Sequence, residues 1–600
     1  MSLRRRLISG FIGMGLATLS VQTLMATSWQ RIAGEGYPVG GVPGQPDAEH
    51  FILQAPTIND TGDVAFHSHL SLFSITDNNS EGIWAGPASQ PLLAARQGNG
   101  APGTAEQFLS FEQEPLLNNS GQVLINAQTT GNFDQNNGLW VSQSGGLQLL
   151  ARTNVALPGL STMIDTIDAD TVKLSGSGKA AFFGTDANSI PSLWYGMPGS
   201  LVVGAKEGDA VPGGSGLPSN VKFERIGASW HSVVLNASGT LAFNAKISNP
   251  TMSINDESIW IGTPGNLQLL VREDMPAPGV PGEEFFFLET HPVINAVGQV
   301  AFGAELTNFN DSIWVGTPGN LHMILEGNDP APVGSAGVRF ADFGFFNELR
   351  FSDSGHVGFE GWLEGAGVNG NNDYGLFRAS SGSVDMVARM GSQAPGMGPG
   401  AIFQSFGDYS INSLGHMAFR GNATGNGASG TQNEGIWAQN AQGELELVVR
   451  VGDWVHPVTG DVIRLTDATN PAQLTSQGYD QVFLLDWWSA STIRPEQGTA
   501  WNANHQIAFS VTFSDSDYGT VLFLADLGGV SGDFDNDGDV DGRDFLVWQR
   551  TDRTSAGLAA WQQSYAQSGL NAIASVPEPA AILLLVAGVI GLSCRRYLVK

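Results

Sequence analysis

The chain has 600 residues, of which 42% are apolar, 14% are charged and 78 are glycine. That composition belongs to a turn-rich globular body with a large core and excludes a disordered chain. A formal net charge of -30 with no basic stripe excludes a nucleic-acid surface, since nothing is present to neutralise phosphates. The acidity suits solubility outside the cell and cation binding.

The amino terminus, "MSLRRRLISGFIGMGLATLSVQTLMATS", sets Arg4, Arg5 and Arg6 before an apolar run that ends at the small residue Ala26. This is the pattern of a cleaved export signal over residues 1–26, with Ala26 at the cut. The only cysteine, Cys594, lies in the far tail, so no disulfide within the chain is available and stability must come from packing and metal.

From residue 27 onward one phrase recurs, apolar-Asn-x-x-Gly-x-apolar-small-Phe. It reads "INDTGDVAF" at Ile58 to Phe66, "LNNSGQVLI" at Leu117 to Ile125, "LSGSGKAAF" at Leu174 to Phe182, "LNASGTLAF" at Leu235 to Phe243 and "INAVGQVAF" at Ile294 to Phe302. Looser copies are "FSDSGHVGF" at Phe351 to Phe359, "INSLGHMAF" at Ile411 to Phe419 and "WNANHQIAF" at Trp501 to Phe509. A second phrase follows each time, as in "SIWIGTPGNLQLLVREDMPAPG" from Ser258. The turn glycines Gly62, Gly121, Gly178, Gly239, Gly298, Gly355 and Gly415 fall about 57–61 residues apart, a period suited to propeller blades. Each unit holds four short β stretches, in the second "FLSFEQEPLL", "QVLINAQ", "GLWVSQ" and "LQLLAR", with Asn and Gly at turn positions that want positive φ.

Eight such sheets must stack face to face, and radial closure leaves no end sheet exposed. The eighth unit stops at "GTVLFLADLGG" without its last phrase, while "WQRIAGEGYPVGGVPG" at Trp29 to Gly44 reads like the missing one. The expectation is an all-β chain, residues 27–528 forming an eight-bladed β-propeller closed by the N-terminal strand; a ring of seven with the eighth unit appended is the runner-up. The insertion between Gly452 and Gly498, with "DWWSAS" at Asp486 to Ser491, breaks the period as either a long loop or an extra strand pair.

Residues 529–572 carry "DFDNDGDVDGRD", from Asp533 to Asp544. Asp533, Asp535, Asp537, Asp541 and Asp544 stand at positions one, three, five, nine and twelve, Asp539 offers its carbonyl at seven, and Gly538 turns the chain at six. That is the spacing of a Ca²⁺ loop. Followed by "FLVWQR" and "LAAWQQSYAQS" as short helices, the segment resembles a dockerin-type module. It has one loop where dockerins carry two, and a thrombospondin-like acidic repeat is the alternative.

The tail 573–600 reads "VPEPAAILLLVAGVIGLSCRRYLVK". Its apolar run from Ala580 to Cys594 spans roughly 22 Å as a helix, short for a ~30 Å hydrocarbon core. The order Val576-Pro577-Glu578-Pro579, apolar helix, Arg595-Arg596 resembles the PEP-CTERM sorting tail. That resemblance implies export, a transient membrane anchor through a C-terminal membrane helix, and an exosortase-type processing enzyme as partner, at the surface of a bacterium that makes exopolysaccharide. The repeats themselves resemble an uncharacterised family of exported bacterial proteins with the same "N-x-x-G-x-V-A-F" and "G-I-W-x-G" phrases over residues 29–528, which implies no activity.

Trp84, Trp140, Trp194, Trp260, Trp314 and Trp437 recur at one place of the unit and are expected in the core rather than on a sugar-binding surface. His356, His416 and His505 fall near the same turn of their units and are expected on the surface without a role. "NDTG" and "SDSG" resemble the Asp boxes of sialidase propellers without the preceding Ser or regular Trp. With no catalytic constellation, the expected function is a non-catalytic surface or matrix protein that binds polysaccharide or protein. The alternative is a secreted polysaccharide-acting enzyme on a propeller, with acidic residues lining its channel and the insertion as its one asymmetry.

Overall fold

The computed structural model describes residues 28–527, apart from short segments of which 464–479 and 487–499 are the longest, together with 542–550, Leu558, Trp561 and Gln562. Residues Thr27–Gly529 form one compact unit, and the terminal segments form the other. The first unit contains eight antiparallel sheets in chain order, so the count of eight blades holds and the ring of seven does not.

Blade 2 shows the plan. Phe108–Phe111 and Leu116–Leu117 both pair with Val123–Thr129, which pairs with Asn137–Gln143, which pairs with the outer strand Gly146–Arg152. The stretch expected as one inner strand is therefore two. In blades 1, 2 and 5 a proline, Pro56, Pro115 or Pro292, sits at the break and has no N–H to give to a ladder; blades 3, 4 and 6 divide without one. Blade 7 has no proline there, and its inner strand Ala401–Ile411 runs through with two bulges. A further bulge precedes the aromatic residue of the third strand in seven blades, from Ile83/Trp84 to Ile436/Trp437, and increases the twist each blade needs.

The recurrent tryptophans are core residues, all almost wholly buried. Four meet the inner-strand phenylalanine of their own blade edge to face, at centroid distances of 5.0, 5.2, 4.8 and 5.0 Å for Phe108–Trp140, Phe223–Trp260, Phe285–Trp314 and Phe403–Trp437. Such pairs add about 0.5–1.5 kcal/mol beyond the area they bury. Blade 6 makes the same contact with Phe340 and Phe377, and blade 1 with His50 and Trp84.

The closure is as the end phrases imply. Ser28–Gly34 is the outer strand of blade 8, antiparallel to Thr520–Asp526, with Trp29 opposite Ala525 and Gly34 opposite Val521. The insertion supplies an extra strand pair, Trp454–Val455 with Val462–Ile463, hung on the inner strand Asp480–Asp486; Trp487 and Trp488 lie outside the described residues.

In the second unit a helix covers Gly542–Arg550, where Phe545 packs on Trp548 and Trp561 at 5.3 and 4.8 Å. Asp533, Asp535, Asp537, Asp539 and Asp541 lie outside the described residues, as do Ala26, Val576, Pro577, Glu578, Pro579, Arg595 and Arg596. Asp544 falls within the helix, and its side chain is likewise outside the described set. Among the described residues no helix is long and apolar enough to cross a membrane.

Candidate functional site

Because neighbouring strands are antiparallel, the turns between first and second strands of every blade share one face. The loops between second and third strands, and the crossings to the next blade, share the other. The two faces differ in kind.

The first face is a seam. At Asn59 the side-chain Oδ1 accepts from the backbone N–H of Thr61 and Asp63, at 3.1 and 2.9 Å, while Nδ2 donates to Asn118 O of the next blade at 3.0 Å. Asn118 donates likewise to Ser175 O at 2.8 Å, Asn236 to Asn295 O at 3.3 Å, Asn412 to Asn502 O at 3.1 Å, and Asn502 back to Asn59 O at 2.9 Å. Ser175 and Ser352 replace Asn in blades 3 and 6. Their hydroxyls still close the local turn, but they are too short to cross to the next blade. There the link passes to backbone donors, Ser177 N to Ala237 O and Ser354 N to Ser413 O, both 2.9 Å. Ala296 N to Asp353 Oδ1, 2.6 Å, completes an unbroken circle through all eight blades. The repeated Asn is therefore a stitch between blades. It does not sit at positive φ; the glycine three residues on does, from +73° at Gly121 to +89° at Gly415.

Blade 8 carries His505 in place of that glycine, at φ +58°, and its side chain occupies the space next to the preceding blade's turn. His416 of blade 7 lies there, its Nδ1 2.7 Å from His505 Nε2. The expectation of a surface position is thus corrected for His505, which is 6% exposed and hydrogen-bonded across the seam, with Trp501 meeting its ring edge to face. Burial, reinforced by His416, pushes His505 down to about 4; burial, then Arg378 and His356, also lowers His416.

The second face carries the differences between blades. Among the described residues the exposed phenylalanines, Phe51, Phe133, Phe287 and Phe309, lie toward it. Its loops are normally tied down by a cation at the end of the outer strand. Arg96 donates to Asn79 O, Arg152 to Gln135 O and Arg389 to Asn372 O, and Lys206 pairs with Asp186. In register, Gly82, Gly138, Ser192, Ser258, Gly375 and Gly435 face Arg96, Arg152, Lys206, Arg272, Arg389 and Arg450. Blade 5 alone among these sets an acid there, Ser312 facing Glu326. Glu326 Oε1 accepts from the side chains of Asn308 and Asn310, at 2.9 and 3.0 Å, and so holds the loop with reversed polarity.

Blade 5 contains no lysine or arginine at all: none occurs between Arg272 and Arg339, a stretch that holds Glu273, Asp274, Glu283, Glu284, Glu289, Glu305, Asp311, Glu326 and Asp329. Burial raises several of these carboxyls, and neighbouring acids add to it. Burial, then Glu305 and Asp342, pushes Glu289 up to about 7. Burial, then a hydrogen bond to the carboxyl of Asp342, raises Asp311. Burial, then Glu257, pushes Glu273 up to about 7. Beside these acids Phe286 packs on Phe287 and Phe309, at 4.5 and 5.8 Å, with Phe309 73% exposed at a loop tip where φ is +63°. The signal for this rim was present in the repeats, as "MILEGN" against "LLARTN", but stands out only once the outer strands are aligned by their pairing.

A family model covers residues 58–527, nearly the whole ring. The chain belongs to the DUF7453 family, a family of unknown function. No curated protein matches it. Among solved structures it is similar to the β-propeller domain of the Trilobed protease from Pyrococcus furiosus, at 10% identity and TM-score 0.35, covering 67% of this chain and 98% of that one. It is similar also to the Dos1 propeller, at 9% identity and TM-score 0.33, covering 84% and 95%. A six-bladed fucose-recognising lectin from Aleuria aurantia aligns at 12% identity and TM-score 0.23, covering 55% and 90%. Likenesses this low add nothing to what the chain's own strand order establishes.

Proposed function

We propose that this DUF7453 protein is an exported, non-catalytic binding propeller of the cell surface or extracellular matrix. The observation that carries the reading is the division of labour between faces. The seam face repeats one bonding pattern around the ring, whereas the opposite face gathers the exposed phenylalanines and the charge reversal of blade 5. A ring stitched on one side and varied on the other is a rigid mount for a ligand surface. The single-loop acidic module would bind Ca²⁺ through Asp533, Asp535, Asp537, Asp539, Asp541 and Asp544. The tail would address the chain to an exosortase-type enzyme that releases the body near Val576 to Pro579.

The close approach of the Asp311 and Asp342 carboxyls is the observation that favours the second reading, a polysaccharide-acting enzyme. One experiment separates the two. Full-length protein is incubated with a panel of neutral, cationic and anionic polysaccharides, and both co-sedimentation and new chain ends are measured. Co-sedimentation without new ends supports binding; new ends that vanish in Asp311→Asn establish the enzyme. Cell fractionation with intact-mass analysis tests the address: an intracellular chain still bearing residues 1–26 would reject export.

A further inference from the structure

We propose that the rim of blade 5 docks a polysaccharide bearing free amino groups, its sugar rings lying on Phe286, Phe287 and Phe309 and its ammonium groups facing the surrounding carboxylates. This rests on the binding reading above and names the ligand class. Charge complementarity argues for a cationic partner. Between Arg272 and Arg339 the chain offers no cation, and at the position where six other blades place Arg or Lys it places Glu326. Arg339, on the inner strand of blade 6, is already paired with Glu364. An anionic glycan would meet only repulsion here, and a neutral one would leave the carboxylates unused.

The aromatic group argues for a ligand with a flat apolar face. The three rings cluster at the loop tip, Phe287 and Phe309 tilted 59° and 79° to Phe286 and 40% and 73% exposed, so they form an open, ridged apolar patch rather than a pocket. A cavity of about 460 Å³ lies elsewhere, between Asp209, Phe223 and Gln268 of blades 3 and 4. A basic peptide anchors by driving single side chains into desolvated pockets. An amino sugar instead presents a C–H face to the rings and an ammonium to their rim, combining stacking with cation–π and carboxylate contacts. Glu283 is positioned by Thr307, whose hydroxyl donates to it at 2.6 Å, next to the Phe309 loop.

The test is calorimetric titration of the full chain with glucosamine hexamer, its N-acetylated counterpart, an alginate hexamer and oligolysine. Glucosamine hexamer is expected to bind, more weakly as salt rises, and alginate is not. The double change Phe287→Ala with Phe309→Ala should weaken binding about tenfold or more. Glu326→Arg, which restores the residue type of the other blades, should weaken it as much, while Leu92→Ser, on the outer strand of blade 1, should leave it unchanged. Thermal melts confirm that each variant is folded. Equal affinity for the N-acetylated hexamer overturns the role of charge, and tighter binding of oligolysine overturns the glycan in favour of a basic protein. Glycan binding that survives both rim changes overturns the rim while leaving the binding function standing; no retention of any polysaccharide removes the binding function itself.

Discussion

Replacing His505 with asparagine should make the ring less stable at pH 8 and no less stable, or more so, at pH 4. Asparagine tolerates the left-handed backbone that His505 adopts at φ +58°, so the change isolates the imidazole. Above pH 6.5 the variant loses the 2.7 Å bond to His416 and the edge contact with Trp501, about 1–2 kcal/mol together. On acidification the sign reverses. The folded chain resists protonation until about pH 4 whereas the unfolded chain takes up the proton near 6.5, so the histidine's contribution is full above 6.5 and drains away between 6.5 and 4. At 1.36 kcal/mol per pH unit the displacement corresponds to about 3 kcal/mol, and water at the turn screens it to about 1–2. The groups facing the pair do not rescue the charge. Arg378 donates to Gly415 O and His356 lies beyond it, both cationic or potentially so; Asp385 is taken by Arg378, and Asp526 accepts from Gln506. Urea unfolding of wild type and variant at pH 8, 6.5, 5 and 4 reads the difference directly, and His50 and His67, also pushed down to about 4, cancel from it. A difference that stays constant across that range would refute the argument.

Trp29→Ala should loosen the closing strand. The side chain is buried and meets Phe509 and Phe523 at 5.0 and 5.3 Å, so a loss of about 3–5 kcal/mol in urea unfolding is expected, with proteolysis beginning near the amino terminus. Gly415→Ala combines a φ of +89° with a Cβ 2.6 Å from His356 Nδ1; a drop of about 1–2 kcal/mol is expected, and an unchanged melt would contradict it. In the acidic module, Asp533→Ala with Asp537→Ala should abolish calorimetric Ca²⁺ binding by the full chain while leaving the tryptophan fluorescence of the ring unchanged. Wild type that takes up no Ca²⁺ at millimolar concentration removes the calcium reading.

Period and phrase determined the number of blades, the core tryptophans and the closing strand, because each blade is a local hairpin series whose pattern repeats as its packing repeats. The halved inner strand was less legible: Pro115 marks it in blade 2, but blades 3, 4 and 6 divide without a proline. Relations between blades were another matter. That Asn59 and Asn502, far apart in the chain, are joined by a hydrogen bond follows only from ring closure, and the His416–His505 contact follows from one glycine's replacement where two turns converge. The acidic rim is intermediate: Glu326 is plain in the sequence, but its meaning comes from register, which shows six other blades placing a cation at that point. Short-range chemistry writes itself into adjacent residues, whereas charge balance and seam contacts are properties of a closed circle and appear only when the circle is built.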